Sequence, residues 1–147
     1  MNEMTASHAR PNTQPSTLLG LLGAAHRLEA RLESGLAKVS LSPGKVAVLE
    51  ALAKAAQPLQ LSEVAANNKC VRSNITQLVD RLEEDGLVRC AGDPGDRRVR
   101  LASLTDAGRS SYEAALDIFE QHERVFAHRL GADGAGALEM VLERLGP

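Results

Sequence analysis

The chain has 147 residues, the length of one domain, and 44% of them are apolar, as in ordinary soluble proteins. No apolar run approaches the roughly 20 residues that a membrane span needs, and the first residues carry no apolar signal segment, so we expect a cytoplasmic protein with no membrane partner. Aromatic residues make up 2% of the chain, which argues against the stacking platforms that bind single-stranded nucleic acids.

Charge is distributed unevenly along the sequence. The net charge is −2, which is not typical of a DNA-binding protein. The acidic excess falls in residues 101–147, however, and residues 69–100 carry slightly more basic than acidic side chains. Any DNA-binding segment must therefore depend on a few well-placed arginines, since phosphate neutralisation normally supplies much of the affinity.

Helices are predicted in the first part of the chain. Residues 1–15 are polar and contain two prolines, so we expect a disordered tail. Ser16 or Thr17 can cap a helix that runs to about Val39, because leucines recur there at helical spacing. Ser42 and Pro43 form a second helix start, with serine as N-cap and proline at the first helical position.

The segment after Gln57-Pro58 predicts two short helices followed by a hairpin. LSEVAANN predicts a short helix, and VRSNITQLVDRLEED predicts a second one over residues 71–85, which Gly86 ends. Residues 87–91 and 99–104 predict two strands around a turn rich in glycine, aspartate and arginine.

A last long helix is predicted to begin at Thr105 as N-cap. The run GADGAG should break it, and a short helix from about Ala135 to Leu145 should close the chain. The predicted fold class is mainly α with a small β-wing. Residues 42–104 form a winged helix-turn-helix, and residues 16–41 and 105–147 form flanking dimerisation helices.

The helix over residues 71–85 should present a polar face opposite its apolar one. Asparagine and glutamine can bind adenine, arginine can bind guanine, and serine or threonine can reach base edges or phosphates in a major groove. A solvated polar face is the simpler interpretation of such a helix alone. The candidate DNA-binding residues on it are Arg72, Ser73, Asn74, Thr76, Gln77 and Arg81.

The hairpin turn adds two further candidates, Arg97 and Arg98. Two arginines at the tip of a wing fit the narrow, electronegative minor groove of DNA, and Asp96 could orient one of them. Such turns are more often simply solvated, but that interpretation leaves the preceding polar helix unexplained.

The stretch from Leu61 to Arg109 resembles the MarR family of bacterial transcriptional regulators. Its most specific parts are NITQLVDRLEEDGLV, the DPGDRR turn, and LTDAG leading into a helix. The resemblance implies a homodimeric repressor that places two recognition helices in successive major grooves of a pseudo-palindromic double-stranded operator, about 34 Å apart. It also implies release by a small aromatic or phenolic effector, for which the candidate pocket residues are Leu22, His26, Val46 and Arg100.

Two cysteines leave a redox alternative open. Cys70 is predicted to lie just before the recognition helix, where the helix dipole favours a thiolate, and Cys90 lies on the first wing strand. Oxidation of Cys70 would then switch DNA binding. Free cysteines are more often small, semi-buried residues without such a role.

Other function classes find less support in the sequence. There is no phosphate-binding loop, no nucleophile motif and no cofactor motif, so an enzyme is not expected. The four histidines lack metal-ligand spacing, so no metal site is predicted and a metal sensor is the weaker alternative. A further alternative is a winged helix that contacts only other proteins, and such a protein would bind no DNA.

Overall fold

The computed structural model describes residues 17–67, 74–96 and 98–146, and it has the element order of a winged helix with long flanking helices. None of the helices in these residues combines the length and the apolar composition that a membrane span requires. The elements are α1 (Thr17–Ala37), α2 (Pro43–Lys54), β1 (Leu59–Gln60), α3 (Leu61–Asn67), α4 (Ile75–Glu84), β2 (Val88–Gly92), β3 (Arg100–Leu104) and α5 (Asp106–Leu145).

The chain divides into two compact units, Met1–Arg31 and Leu32–Pro147. In the first unit, the described part of α1 exposes several leucines, among them Leu18 and Leu22 at 63% and 56% of their surface. The second unit contains the hydrophobic core, which is built from aliphatic side chains, as the low aromatic content predicts. Its buried members are Leu36, Leu41, Val46, Val48, Leu49, Leu52, Val64, Val79, Leu82, Val88, Ala102 and Ala115.

A three-stranded antiparallel sheet with the order β1-β3-β2 replaces the predicted two-stranded hairpin. The third strand, β1, is only two residues long and pairs Leu59 with Ala102. In the β2–β3 ladder Cys90 pairs with Ala102, and Gly92 pairs with Arg100. Because side chains alternate between the faces of a strand, Cys90, Ala102 and Arg100 share the inner face of the sheet.

The two ends of α4 are set by local hydrogen bonds. Asn74 is the N-cap, so the helix begins at Ile75 and not at residue 71 as predicted. At the other end Gly86 has a φ of 72°, and the Gly86 and Leu87 N–H groups donate to the carbonyls of Glu83 and Leu82. This is a Schellman motif, and it confirms Gly86 as the stop that the sequence predicts.

The long helix α5 begins where predicted, with Thr105 as N-cap accepting a hydrogen bond from the Gly108 N–H at 3.0 Å. The predicted six-residue break over GADGAG is wrong in extent. Only Gly131 leaves helical backbone angles, with φ 65° and ψ 175°, and the helix resumes directly after it. One glycine with a positive φ is enough to redirect a helix, because it pays no Cβ penalty.

Ser40, in the turn that follows α1, has a backbone conformation that favours glycine. Its φ is 58°, and the Leu41 and Ser40 N–H groups donate to the carbonyls of Leu36 and Ala37. We expect Ser40→Gly to raise the free energy of unfolding by about 0.5–1 kcal/mol, because relief of the left-handed strain outweighs the added entropy of the unfolded chain. Urea denaturation checks this. Ser34→Gly, the same change inside α1, should be destabilising, and equal effects at the two positions would contradict the explanation.

Candidate nucleic-acid interface

Helix α4 separates its residues into a buried and an exposed face. Val79 and Leu82 are fully buried and anchor the helix to the core. Thr76, Gln77 and Arg81 are exposed. The structure therefore brings these three sequence-predicted residues together on one accessible face, while Arg72 and Ser73 lie outside the described residues.

Asn74 has a structural role that the sequence analysis missed. Its Oδ1 accepts a hydrogen bond from the Gln77 N–H at 3.4 Å, as an N-cap does. Asparagine followed three residues later by glutamine is a known signature of helix starts, so this spacing could have revealed the cap. Asn74 can thus affect DNA binding through the helix itself as well as through a base.

Replacement of Gln77 by alanine should separate base reading from helix capping. We expect Gln77→Ala to weaken binding about five- to a hundredfold on the preferred duplex, as for loss of a side-chain contact to a base, with unchanged thermal stability. Asn74→Ala should in addition destabilise the protein by about 1 kcal/mol, and Asn74→Ser should restore that loss. Fluorescence anisotropy and thermal unfolding measure the two effects. A Gln77→Ala variant that binds all duplexes as before would contradict a reading role for this residue.

The turn between β2 and β3, the wing, is ordered by its two aspartates. Asp93 Oδ1 accepts from the Gly95 N–H at 2.9 Å, and Asp96 Oδ1 accepts from the Arg98 N–H at 3.0 Å. Each is an aspartate side chain bonded to the backbone two residues ahead, which stabilises a turn. Asp96 thus holds the backbone of Arg98, whose side chain is exposed. Arg97 lies outside the described residues.

Arg100 joins the wing to α4. Its Nη1 donates to Asp80 Oδ1 at 2.9 Å, and its Nη2 donates to Glu83 Oε2 at 3.1 Å. The hydrogen bond to Asp80 is the main reason why the pKa of Arg100 is raised above its usual value. With both terminal nitrogens bound to carboxylates, Arg100 is placed as a link within the domain, and its role in an effector pocket stays a prediction.

Of the two cysteines, only Cys90 lies in the described residues, and it is on the first wing strand, as predicted. Cys70 lies outside the described residues, five positions before Ile75, the first residue of the recognition helix, and its role stays a prediction. Cys90 is half-buried beside Glu83, and burial raises the pKa of its thiol. A raised pKa reduces the thiolate fraction and therefore the reactivity toward oxidants.

The four pocket candidates lie in different surroundings. Leu22 and His26 are exposed on α1, and Val46 is buried in the core with 5% of its surface exposed. A polar cleft of about 420 Å³ lies instead at the start of α5, and it is lined by Gly86, Arg89, Ser103, Leu104, Thr105, Asp106 and Ala107. Within the described ranges, no cluster of histidine, cysteine or carboxylate side chains could hold a metal ion.

Comparison with known proteins places this geometry in a family. The family model described as "MarR family" matches residues 39–99. The chain is 31% identical to the transcriptional repressor MdtR of Bacillus subtilis (strain 168) over 98 residues, which are 67% of this chain and 63% of MdtR. It is 33% identical to the transcriptional regulator MhqR of the same organism over 109 residues, which are 74% of this chain and 72% of MhqR.

A solved structure shows the same fold on DNA. The transcriptional repressor CouR, bound to a 23-mer DNA duplex, superposes with a TM-score of 0.76 and 28% identity, over 89% of this chain and 92% of that one. The winged-helix fold predicted from the sequence is thereby confirmed, as is the expectation that the protein is not an enzyme. The chain belongs to the MarR family of DNA-binding transcriptional regulators.

Proposed function

We propose that this protein is a homodimeric repressor that binds a pseudo-palindromic double-stranded operator through residues 42–104. The observation that carries the proposal is the exposed polar face of α4 next to a wing whose Arg98 side chain is exposed. In this proposal Asn74, Thr76, Gln77 and Arg81, with Arg72 and Ser73, read the major groove, and Arg97 and Arg98 enter the minor groove. Two relatives named as repressors, MdtR and CouR, support repression.

Exposed apolar side chains on α5 support the homodimer. A soluble monomer rarely exposes large apolar patches, so such residues indicate a surface that a partner covers. We propose that residues 105–147, with residues 16–41, form the interface between two copies. The exposed members on α5 are Leu116, Phe119, Val125, Met140, Val141, Leu142 and Leu145, with 36–62% of their surface accessible.

The dimer also offsets the low charge of the chain. The net charge is −2, so one copy has little general attraction for DNA. Two linked heads raise the effective concentration of the second once the first is bound, and they can increase affinity by about 10²–10⁴-fold without any new contact. The affinity for specific DNA then depends more on two symmetric half-sites in the DNA than on a basic surface of the protein.

The test is selection of duplexes from a random library by the wild-type protein, followed by anisotropy with the selected duplex and a scrambled duplex of equal composition. Analytical ultracentrifugation gives the oligomeric state. We expect an inverted repeat and binding at least a thousandfold tighter than to the scrambled duplex. Equal affinity for both duplexes, or a monomer that binds a single half-site, would refute the proposal.

We further propose that a small aromatic or phenolic acid releases the operator, as the family resemblance implies. The raised pKa of the Cys90 thiol favours a ligand over thiol oxidation at that residue. Titration of the protein–duplex complex with benzoate, hydroxybenzoates and peroxide distinguishes the signals. Release by peroxide that Cys70→Ser abolishes would favour the redox alternative instead.

A further inference from the structure

We propose that Arg100 is a positioning residue for DNA recognition, which fixes the wing against the recognition helix and contacts no DNA itself. The inference rests on the proposed function, since it concerns how the two DNA-reading elements are held relative to each other. It predicts that Arg100, two residues after Arg98 in the sequence, contributes to binding by a different physical route.

The direction of the Arg100 side chain follows from the strand register. Arg100 pairs with Gly92 across the ladder, and it alternates with Leu101 onto the face that carries the buried Ala102. This face packs toward α4, where the guanidinium meets Asp80 and Glu83 at 2.9 and 3.1 Å. A side chain held there is directed into the domain.

The two carboxylates are spaced to receive one guanidinium. Asp80 and Glu83 are three residues apart on α4, so they lie on the same side of the helix in successive turns. The planar fork of arginine can donate to both at once, which the single ammonium of lysine does less well. No nitrogen at the end of the Arg100 side chain is then left without a carboxylate partner.

Glu83 extends the link to the second strand of the wing. Its Oε1 accepts from the backbone N–H of Cys90 on β2 at 2.9 Å, while its Oε2 accepts from Arg100 on β3. One helix residue is therefore bonded to both wing strands. Rotation of the wing relative to α4 would therefore strain hydrogen bonds on both strands.

The link should matter more for binding than for stability. Arg100, Asp80 and Glu83 are 41%, 47% and 39% exposed, and ion pairs this exposed add little to folding. Binding is more sensitive, because a wing that moves freely must be ordered when DNA binds, and preorganisation removes that cost. In a dimer the cost arises twice, so we expect a loss of about tenfold in affinity when the link is cut.

The experiment compares wild type, Arg100→Gln and the triple variant Asp80→Asn/Glu83→Gln/Arg100→Gln. Each is measured by anisotropy on the duplex selected by the wild-type protein, at several salt concentrations, and by thermal unfolding. The triple variant removes all three charges of the link, which raises the net charge by one relative to the wild type, and it keeps an amide oxygen for the Cys90 N–H. Lys54→Gln, which removes the cation of an exposed pair with Glu50 on α2, is the control that matches the charge change of Arg100→Gln.

We expect both Arg100 variants to bind about tenfold more weakly, with unchanged Tm and an unchanged slope of log affinity against log salt, and Lys54→Gln to bind as the wild type. A slope of log affinity against log salt that is shallower than that of the wild type by about 0.9 for each DNA-binding domain would mean that Arg100 contacts phosphate. This result would overturn the proposal. Wild-type affinity in Arg100→Gln would overturn it as well. If the triple variant bound with wild-type affinity, the loss in Arg100→Gln would come from the unpaired carboxylate charges and not from a displaced wing, and the proposal would be overturned. If the wild-type protein prefers no duplex, the proposed function fails, which is a separate result.

Discussion

Gly108→Ala should lower the free energy of unfolding by about 2–4 kcal/mol, because no space exists for a methyl group at this position. A Cβ built on Gly108 would lie 1.9 Å from the carbonyl oxygen of Leu87 and 2.9 Å from the carbonyl carbon of Leu87. It would also lie 3.0 Å from Leu104 Cδ2. The first two atoms are backbone, so they cannot swing aside as a flexible side chain would. Glycine here allows the start of α5 to approach the corner between α4 and β2.

The surrounding hydrogen bonds prevent the helix from moving away. Thr105 donates its hydroxyl to the Gly86 carbonyl at 2.7 Å and its backbone N–H to the Leu87 carbonyl at 3.1 Å. The same hydroxyl accepts from the Gly108 N–H at 3.0 Å. A shift that relieves the clash would break bonds that each contribute about 1 kcal/mol. Thr105 and Gly108 therefore act together to hold the start of α5 against the corner between α4 and β2.

Urea denaturation at a fixed protein concentration measures this effect, since the stability of a dimer depends on concentration. Gly136→Ala is the matched control, because it makes the same change in the same helix with no atom within 4 Å of the new Cβ. There we expect stabilisation of up to about 1 kcal/mol, from the better helix propensity of alanine. Equal stabilities of the two variants would show that α5 can move away from the corner without loss.

Element starts and stops were predictable wherever a short local motif determines them. The Ser42–Pro43 start of α2, the Gly86 stop of α4 and the Thr105 cap of α5 all depend on residues within one turn, and all three are confirmed. The start of α4 was wrong because Val71 fits the apolar spacing of the helix. The hydrogen bond between Asn74 and Gln77 fixes the boundary instead.

Features that depend on distant partners could not be predicted in the same way. Strand β1 has two residues, too few for an alternating pattern, and it exists because β3 offers a free edge. The link through Arg100 requires residues separated by 17 and 20 positions to meet. The sequence places a charged residue on the second wing strand. Only the fold shows that its guanidinium donates to carboxylates of α4.

Arg98→Ala should weaken operator binding about a hundredfold, the largest effect on function that we expect from one substitution. The Arg98 side chain is exposed, and its backbone N–H is bonded to Asp96 Oδ1 at 3.0 Å. Alanine keeps that backbone bond, so the wing should retain its shape while losing the guanidinium. About tenfold per head, or roughly 1.4 kcal/mol, gives a hundredfold for two heads that bind together.

The salt dependence of binding distinguishes this loss from a change in the wing. An arginine inserted in the minor groove displaces counterions, so its removal from both heads should make the slope of log affinity against log salt shallower by up to about two. Lys54→Ala, which removes a cation from the exposed surface of α2, should leave both affinity and slope unchanged. If Arg98→Ala lost affinity with the slope of the wild type, Arg98 would act within the wing, as we propose for Arg100, and the minor-groove contact would have to be assigned elsewhere.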